Sequence, residues 1–155
     1  MTILDEKLIL ATNLDVDPLD YQATAYVTGD IIDFGTGKNA FGAAATPNIG
    51  EGGDLELVVF CDSEAGAGAT GCIITFGLET AAAYSGANLT TPTVLMTKAI
   101  AHGASATTVG QEIWRTKVPA GETKRYLALK ATVSIANASS GKYSAFLSMG
   151  HQSAK

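Results

Sequence analysis

The chain has 155 residues, enough for one domain that buries about 70% of its unfolded-chain surface without a metal or disulfide to hold it. Ten basic residues against fifteen acidic ones give a net charge of −5, and the basic ones form no cluster, which argues against a phosphate-neutralising surface for DNA or RNA. No apolar run approaches the roughly 20 residues of a membrane helix, and Met1 to Lys7 lacks a secretory pattern, so the expectation is a soluble protein made in a cytoplasm, meeting neither membrane nor nucleic acid.

Ile3 to Leu14 is the one stretch arguable as a helix; it is short and lacks an apolar stripe, and residues 1–20 read as an N-terminal arm of a single domain spanning 1–155. Thr24 to Val27 and Asp30 to Phe34 are weak strand candidates around the turn Thr28-Gly29-Asp30, and Ala40 to Ala45 reads as a loop. After the turn Gly50-Glu51-Gly52-Gly53, Asp54 to Asp62 sets Leu55, Leu57, Val59 and Cys61 against Asp54, Glu56 and Asp62. That is the period of a half-buried strand, although Val58 and Phe60 make its second face partly apolar. Cys72, Ile74, Phe76 and Leu78 line one face of the next strand, and Thr80 to Ala87 reads as a loop crossing the end of the fold. Thr93 to Ile100 and Gln111 to Val118 are further candidates. Pro119-Ala120-Gly121 turns the chain toward Leu127 to Ile135, where Leu127, Leu129, Ala131, Val133 and Ile135 oppose Lys130, Thr132 and Ser134. Ser139-Ser140-Gly141 leads into a last strand with Tyr143, Ala145, Leu147 and Met149, and residues 150–155 read as a flexible tail. About eight strands joined by turn signals, with no long helical pattern between them, specify an all-β, single-domain antiparallel β-sandwich or jelly roll.

Motifs for chemistry are thin. Cys61 and Cys72 have no CxxC spacing and read as two buried thiols. Gly66-Ala67-Gly68-Ala69-Thr70-Gly71 fits GxGxxG, but a dinucleotide site needs a helix to begin there, and Cys72-Ile73-Ile74-Thr75-Phe76 reads as a strand; Ser63 to Gly71 is therefore a hairpin loop. Gly35-Thr36-Gly37-Lys38-Asn39 lacks the outer glycine and hydroxyl residue of a P-loop. His102 and His151 are the only histidines, the latter in the tail, which leaves no catalytic constellation to name. Asp15, Asp17 and Asp20 lack the turn glycine and distal glutamate of a calcium loop, so no metal site or cofactor is expected. With 16% charged residues and much Ala, Thr, Ser and Gly, the exterior is small and weakly polar, a texture suited to packing against other subunits.

The stretch "VPAGETKRYLAL", followed by "SGKYSAFLSMG", resembles the C-terminal half of small tailed-phage capsid cement or decoration proteins. "TVLMTKAIAHGASATTVGQEIW" and "YQATAYVTGDIIDFG" are similar in order to the strands before it, so the resemblance covers most of the chain; the loop "SEAGAGATG" has no counterpart. The resemblance implies a non-enzymatic jelly roll that assembles as a homotrimer on the outer face of a virion shell and contacts the major capsid protein, after synthesis in the host bacterial cytoplasm. Lys124, Arg125 and Tyr126, where the strand leaves its turn, are the candidate subunit or capsid contacts. An alternative stays open for them: Arg125 pairs with a carboxylate or backbone oxygen and the tyrosine packs locally, pinning the turn. A second functional reading is a carbohydrate-binding sandwich of a tail or adhesion structure, which needs aromatic residues gathered on one exposed face.

Overall fold

The computed structural model describes residues 8–16, 27–38, 44–45, 55–63, 72–102, 107–134 and 140–149. The strands in chain order are β1 (Ile9–Asp15), β2 (Val27–Thr28), β3 (Ile32–Asp33), β4 (Gly37–Lys38), β5 (Ala44–Ala45), β6 (Leu55–Ser63), β7 (Cys72–Ala81), β8 (Ala83–Ser85), β9 (Asn88–Thr90), β10 (Thr93–His102), β11 (Glu112–Lys117), β12 (Tyr126–Ser134) and β13 (Lys142–Met149). No α-helix occurs among the described residues.

One sheet runs β1-β13-β6-β11; the other runs β10-β7-β12-β2, with β3 continuing along β12 after β2. All these pairings are antiparallel. Counting β2 and β3 as one interrupted strand, each connection carries the chain from one sheet to the other, except that β7 and β10 are neighbours in the same sheet. Eight strands in this order are the double Greek key of a jelly roll. Two small ribbons, β4–β5 and β8–β9, stand apart from the sheets.

The inner faces are those the alternation marks. Leu57, Val59, Cys61, Tyr143, Ala145 and Leu147 of one sheet meet Cys72, Ile74, Phe76, Leu78, Leu127, Leu129 and Ala131 of the other, all at or below 1% exposure. Burying each of the larger aliphatic side chains stabilises the fold by about 1.5–3 kcal/mol relative to leaving it in water. Phe76 and Tyr143 meet edge to face across the sandwich, with ring centroids 5.1 Å apart. Because Tyr143 lies deep in this core, burial pushes its hydroxyl up to about 12, partly offset by the neighbouring Thr107 hydroxyl.

Several expectations change. The helix over Ile3 to Leu14 is a strand from Ile9 onward; residues 1–7 lie outside the described residues. β1 pairs with β13 through two register shifts, and Asn13 has a φ of 51°. The shifts put Leu10, Ala11 and Leu14 together in the core, a spacing that imitates a helical face. In this way residues 9–16, read from sequence as part of an arm, line the sandwich. Thr80 to Ala87 is no loop: β7 runs on to Ala81, and Ala83–Ser85 is the first arm of the β8–β9 ribbon, which turns at Gly86 with φ 60°. Ala40 to Ala45 ends in β5 and its first residues lie outside the described residues, as do the glycine turn 50–53 and the tail 150–155.

Candidate contact site

Pro119 and Gly121, the latter at φ 75°, bring the chain round into β12. A single buried hydroxyl fixes the exit. Thr80 Oγ1 accepts from the Lys124 backbone N–H at 2.8 Å and donates to the Tyr126 carbonyl at 2.8 Å, so the turn is sewn to the end of β7. From there the three candidate residues diverge. Lys124 Nζ reaches Thr93 Oγ1 at the start of β10, 2.8 Å away. Arg125 forks onto Asp33, Nε to Oδ1 at 2.8 Å and a terminal nitrogen to Oδ2 at 2.9 Å, while its carbonyl accepts from the Phe34 N–H at 3.0 Å. The two-pronged geometry suits a planar guanidinium and ties β3 to the mouth of β12.

The hydrogen bonds from Arg125, then that from the Gly35 N–H at 2.7 Å, hold the Asp33 carboxyl below the usual carboxylate range; the Asp33 carboxylate in turn raises Arg125. The guanidinium also lies 4.8 Å from the Tyr126 ring centroid, a cation–π contact. Tyr126 itself is turned under: it is 7% exposed, because the β8–β9 ribbon folds over this end and sets Tyr84 against it, ring centroids 4.8 Å apart and 63° between planes. The aromatic surface that this corner presents is Tyr84, 51% exposed, with Val94 of β10 at 52%. The corner is thus a surface of Tyr84, Lys124, Arg125, Asp33 and Val94, tyrosine- and arginine-bearing as the centres of protein interfaces tend to be. Lys124 and Arg125 announce themselves in the sequence. Asp33 had one local signal, the Asp-Phe-Gly turn its side chain caps; Tyr84 had none, since only the fold returns it to β12.

The outer face of the other sheet is differently built. Arg115 bonds Glu112 at 2.7 Å and Glu56 at 2.9 Å, which lowers the Glu112 carboxyl and raises the guanidinium. Beside it Phe60 and Phe146 stack at 5.8 Å and border a hollow of about 510 Å³ with Ile9, Thr12, Asp62 and Ser144. The Ser144 hydroxyl donates to Asp62 at 2.5 Å and accepts from the Asn13 N–H at 3.1 Å. Val58, on the outward row, is nonetheless fully buried here.

Cys61 and Cys72 are buried free thiols, and burial pushes the Cys72 thiol up. Residues 66–71 lie outside the described residues, but β7 begins at Cys72, so a strand and not a helix follows the glycines; β6 and β7 do not pair with each other, so the stretch expected as a hairpin loop instead joins strands of the two different sheets. Asp15 faces Lys142 at 4.0 Å, and Asp17, Asp20 and His151 lie outside the described residues. His102 closes β10. Among the described residues no group of acidic, histidine or cysteine side chains is arranged to hold a metal.

A family model described as Bbp16 matches residues 20–147. No curated protein matches the sequence.

Proposed function

The chain belongs to the Bbp16 family, a family of phage or bacterial type, and from that premise we propose that it is a non-enzymatic virion protein that binds the outside of a tailed-phage capsid and cements or decorates the shell. It works as a homotrimer whose partner is the major capsid protein, with no cofactor. The observation that carries the reading is the fold of the "VPAGETKRYLAL" stretch: it passes through an exposed corner shared by Tyr84, Lys124 and Arg125 and runs on into an inner strand of a jelly roll. A rigid corner of this composition suits docking onto protein. A protein that binds only the assembled shell stabilises it by mass action, and a trimer on a repeating lattice adds modest affinities into a firm hold.

The test is to add the purified protein to undecorated capsids of the phage that encodes it. Stoichiometric binding, lost in Tyr84→Ala with Arg125→Ala while the β spectrum is kept, supports the reading. Absence of binding under every salt condition overturns it in favour of the carbohydrate-binding module, which a glycan array would then address.

A further inference from the structure

β10 ends its sheet. β7 occupies one of its sides and, among the described residues, no strand occupies the other. The strand is ten residues long, and Thr93, Val94, Thr97, Lys98, Ala99 and Ala101 along it are exposed. Such an edge presents a row of N–H and C=O groups, a template onto which an extended chain adds as a further strand. The edges of the facing sheet are poorer templates: β1 is broken by two register shifts, and β11 is six residues long with a shift of its own. β10 has one irregularity, between Val94 and Met96, and is regular from Met96 to His102.

Lys98 indicates the kind of strand that fits. Across the ladder it pairs with Phe76, a fully buried core residue, and residues paired across a ladder share a face. Lys98 therefore stands in the row that looks toward the opposite sheet, at the open edge. Arg115, Arg125, Lys124, Lys130 and Lys142 each have a bonded partner, and Lys117 has an interaction as well. Among the described residues Lys98 has none.

We infer that the free side of β10 binds an extended segment of another protein as an added strand, and that this segment carries a carboxylate in the row of Lys98. A second copy of β10 does not meet the requirement, since Thr93–His102 contains no acidic residue. A lysine turned inward on an edge also keeps like edges apart, and the experiment separates the two roles without any capsid present, so its outcome is independent of the shell-binding assay.

The probe is an acetylated nine-residue peptide alternating threonine and valine around a central glutamate, titrated into the full-length protein with amide shifts and hydrogen exchange as readouts. The expected result is protection of alternate β10 amides, those directed away from β7. Replacing the central glutamate by lysine weakens the Kd about two- to fivefold, as a half-exposed ion pair allows, and Lys98→Glu reverses the preference. Equal binding of both peptides, protection at β1 or β11 instead, or no binding at millimolar peptide overturns the inference. So does self-association of Lys98→Thr through β10 with no response to either peptide, which assigns the lysine to guarding the edge.

Discussion

β12 and β10 flank the same strand. Both pair antiparallel with β7, β12 from Tyr126↔Ala81 to Ser134↔Ile73 and β10 from Thr93↔Thr80 to His102↔Cys72, so their hydrogen-bond ladders are alike. Their side chains fare differently. Leu127, Leu129 and Ala131 of β12 are fully buried, and its outward residues Tyr126 and Ala128 are buried too; none of the described side chains of β10 is. What differs is the far side. β12 has β2 and β3 beyond it and the β8–β9 ribbon above its end, whereas β10 has no described strand beyond it. A ladder places a strand, and burial against the facing sheet and neighbouring elements sets how much that strand contributes to stability.

The largest effect that sharpens this contrast comes from shortening matched side chains. Leu129→Ala, in the centre, is expected to cost about 2–5 kcal/mol, and Met96→Ala on β10, only half-buried, about 1 kcal/mol. Urea midpoints measure both, and equal losses would break the comparison. Hydrogen exchange should follow the same order, with β10 amides opening before those of β12.

Next comes alkali, which tests the core directly. Tyr143 ionises in the unfolded chain near its ordinary value of 10 but in the folded chain at about 12. Its contribution is therefore whole below pH 10 and is lost as pH rises toward 12, about 2–3 kcal/mol in all at 1.36 kcal/mol per unit. Tyr143→Phe should flatten that limb of the pH–stability curve; an unchanged limb would put its origin elsewhere.

The smallest effect belongs to the corner. Asp33 is exposed and its carboxyl is lowered by the hydrogen bonds from Arg125 and the Gly35 N–H, so the pair is formed above the ordinary carboxylate range and persists as pH falls past it, until the carboxylate is protonated. Arg125→Ala should raise the Asp33 titration, followed by carboxyl NMR, toward its ordinary range, with the Gly35 N–H bond still holding it somewhat below, while barely moving the melting temperature. A large fall in melting temperature would make the corner part of the structural centre and not a contact surface.

The contrast between β10 and β12 also marks where sequence reading stops. "TVLMTKAIAH" and "YLALKATVS" are both apolar and alternating, and both are rightly strands, but nothing in either word says which has a neighbour on its far side. Period two reports a face and is silent about the edge. The strands of the core were legible from an inward apolar row at every second position, as in Leu55, Leu57, Val59 and Cys61 or Tyr143, Ala145 and Leu147; β1 was not, since its bulges turn period two into a helix-like spacing. Of the corner, Lys124 and Arg125 could be read from their place after the turn. Asp33 lies 92 residues from Arg125 in the chain, and such a pairing is set by the antiparallel pairing of β3 beside β12.

Gly29 gives the sandwich a direction. It sits where β2 leaves its sheet, its N–H bonded to the Leu129 carbonyl at 2.9 Å, and a Cβ there would run into the Leu10 carbonyl oxygen and the Ala11 methyl. The two sheets approach backbone to backbone at that point, while among the described residues their other margins, β10 and β11, end the sheets opposite. The molecule is bound like a book, with its spine at Gly29 and Leu10 and its fore-edge at β10. Heat, denaturant or a pulling partner would part the leaves from the fore-edge first, and an alanine at Gly29 would crack the spine.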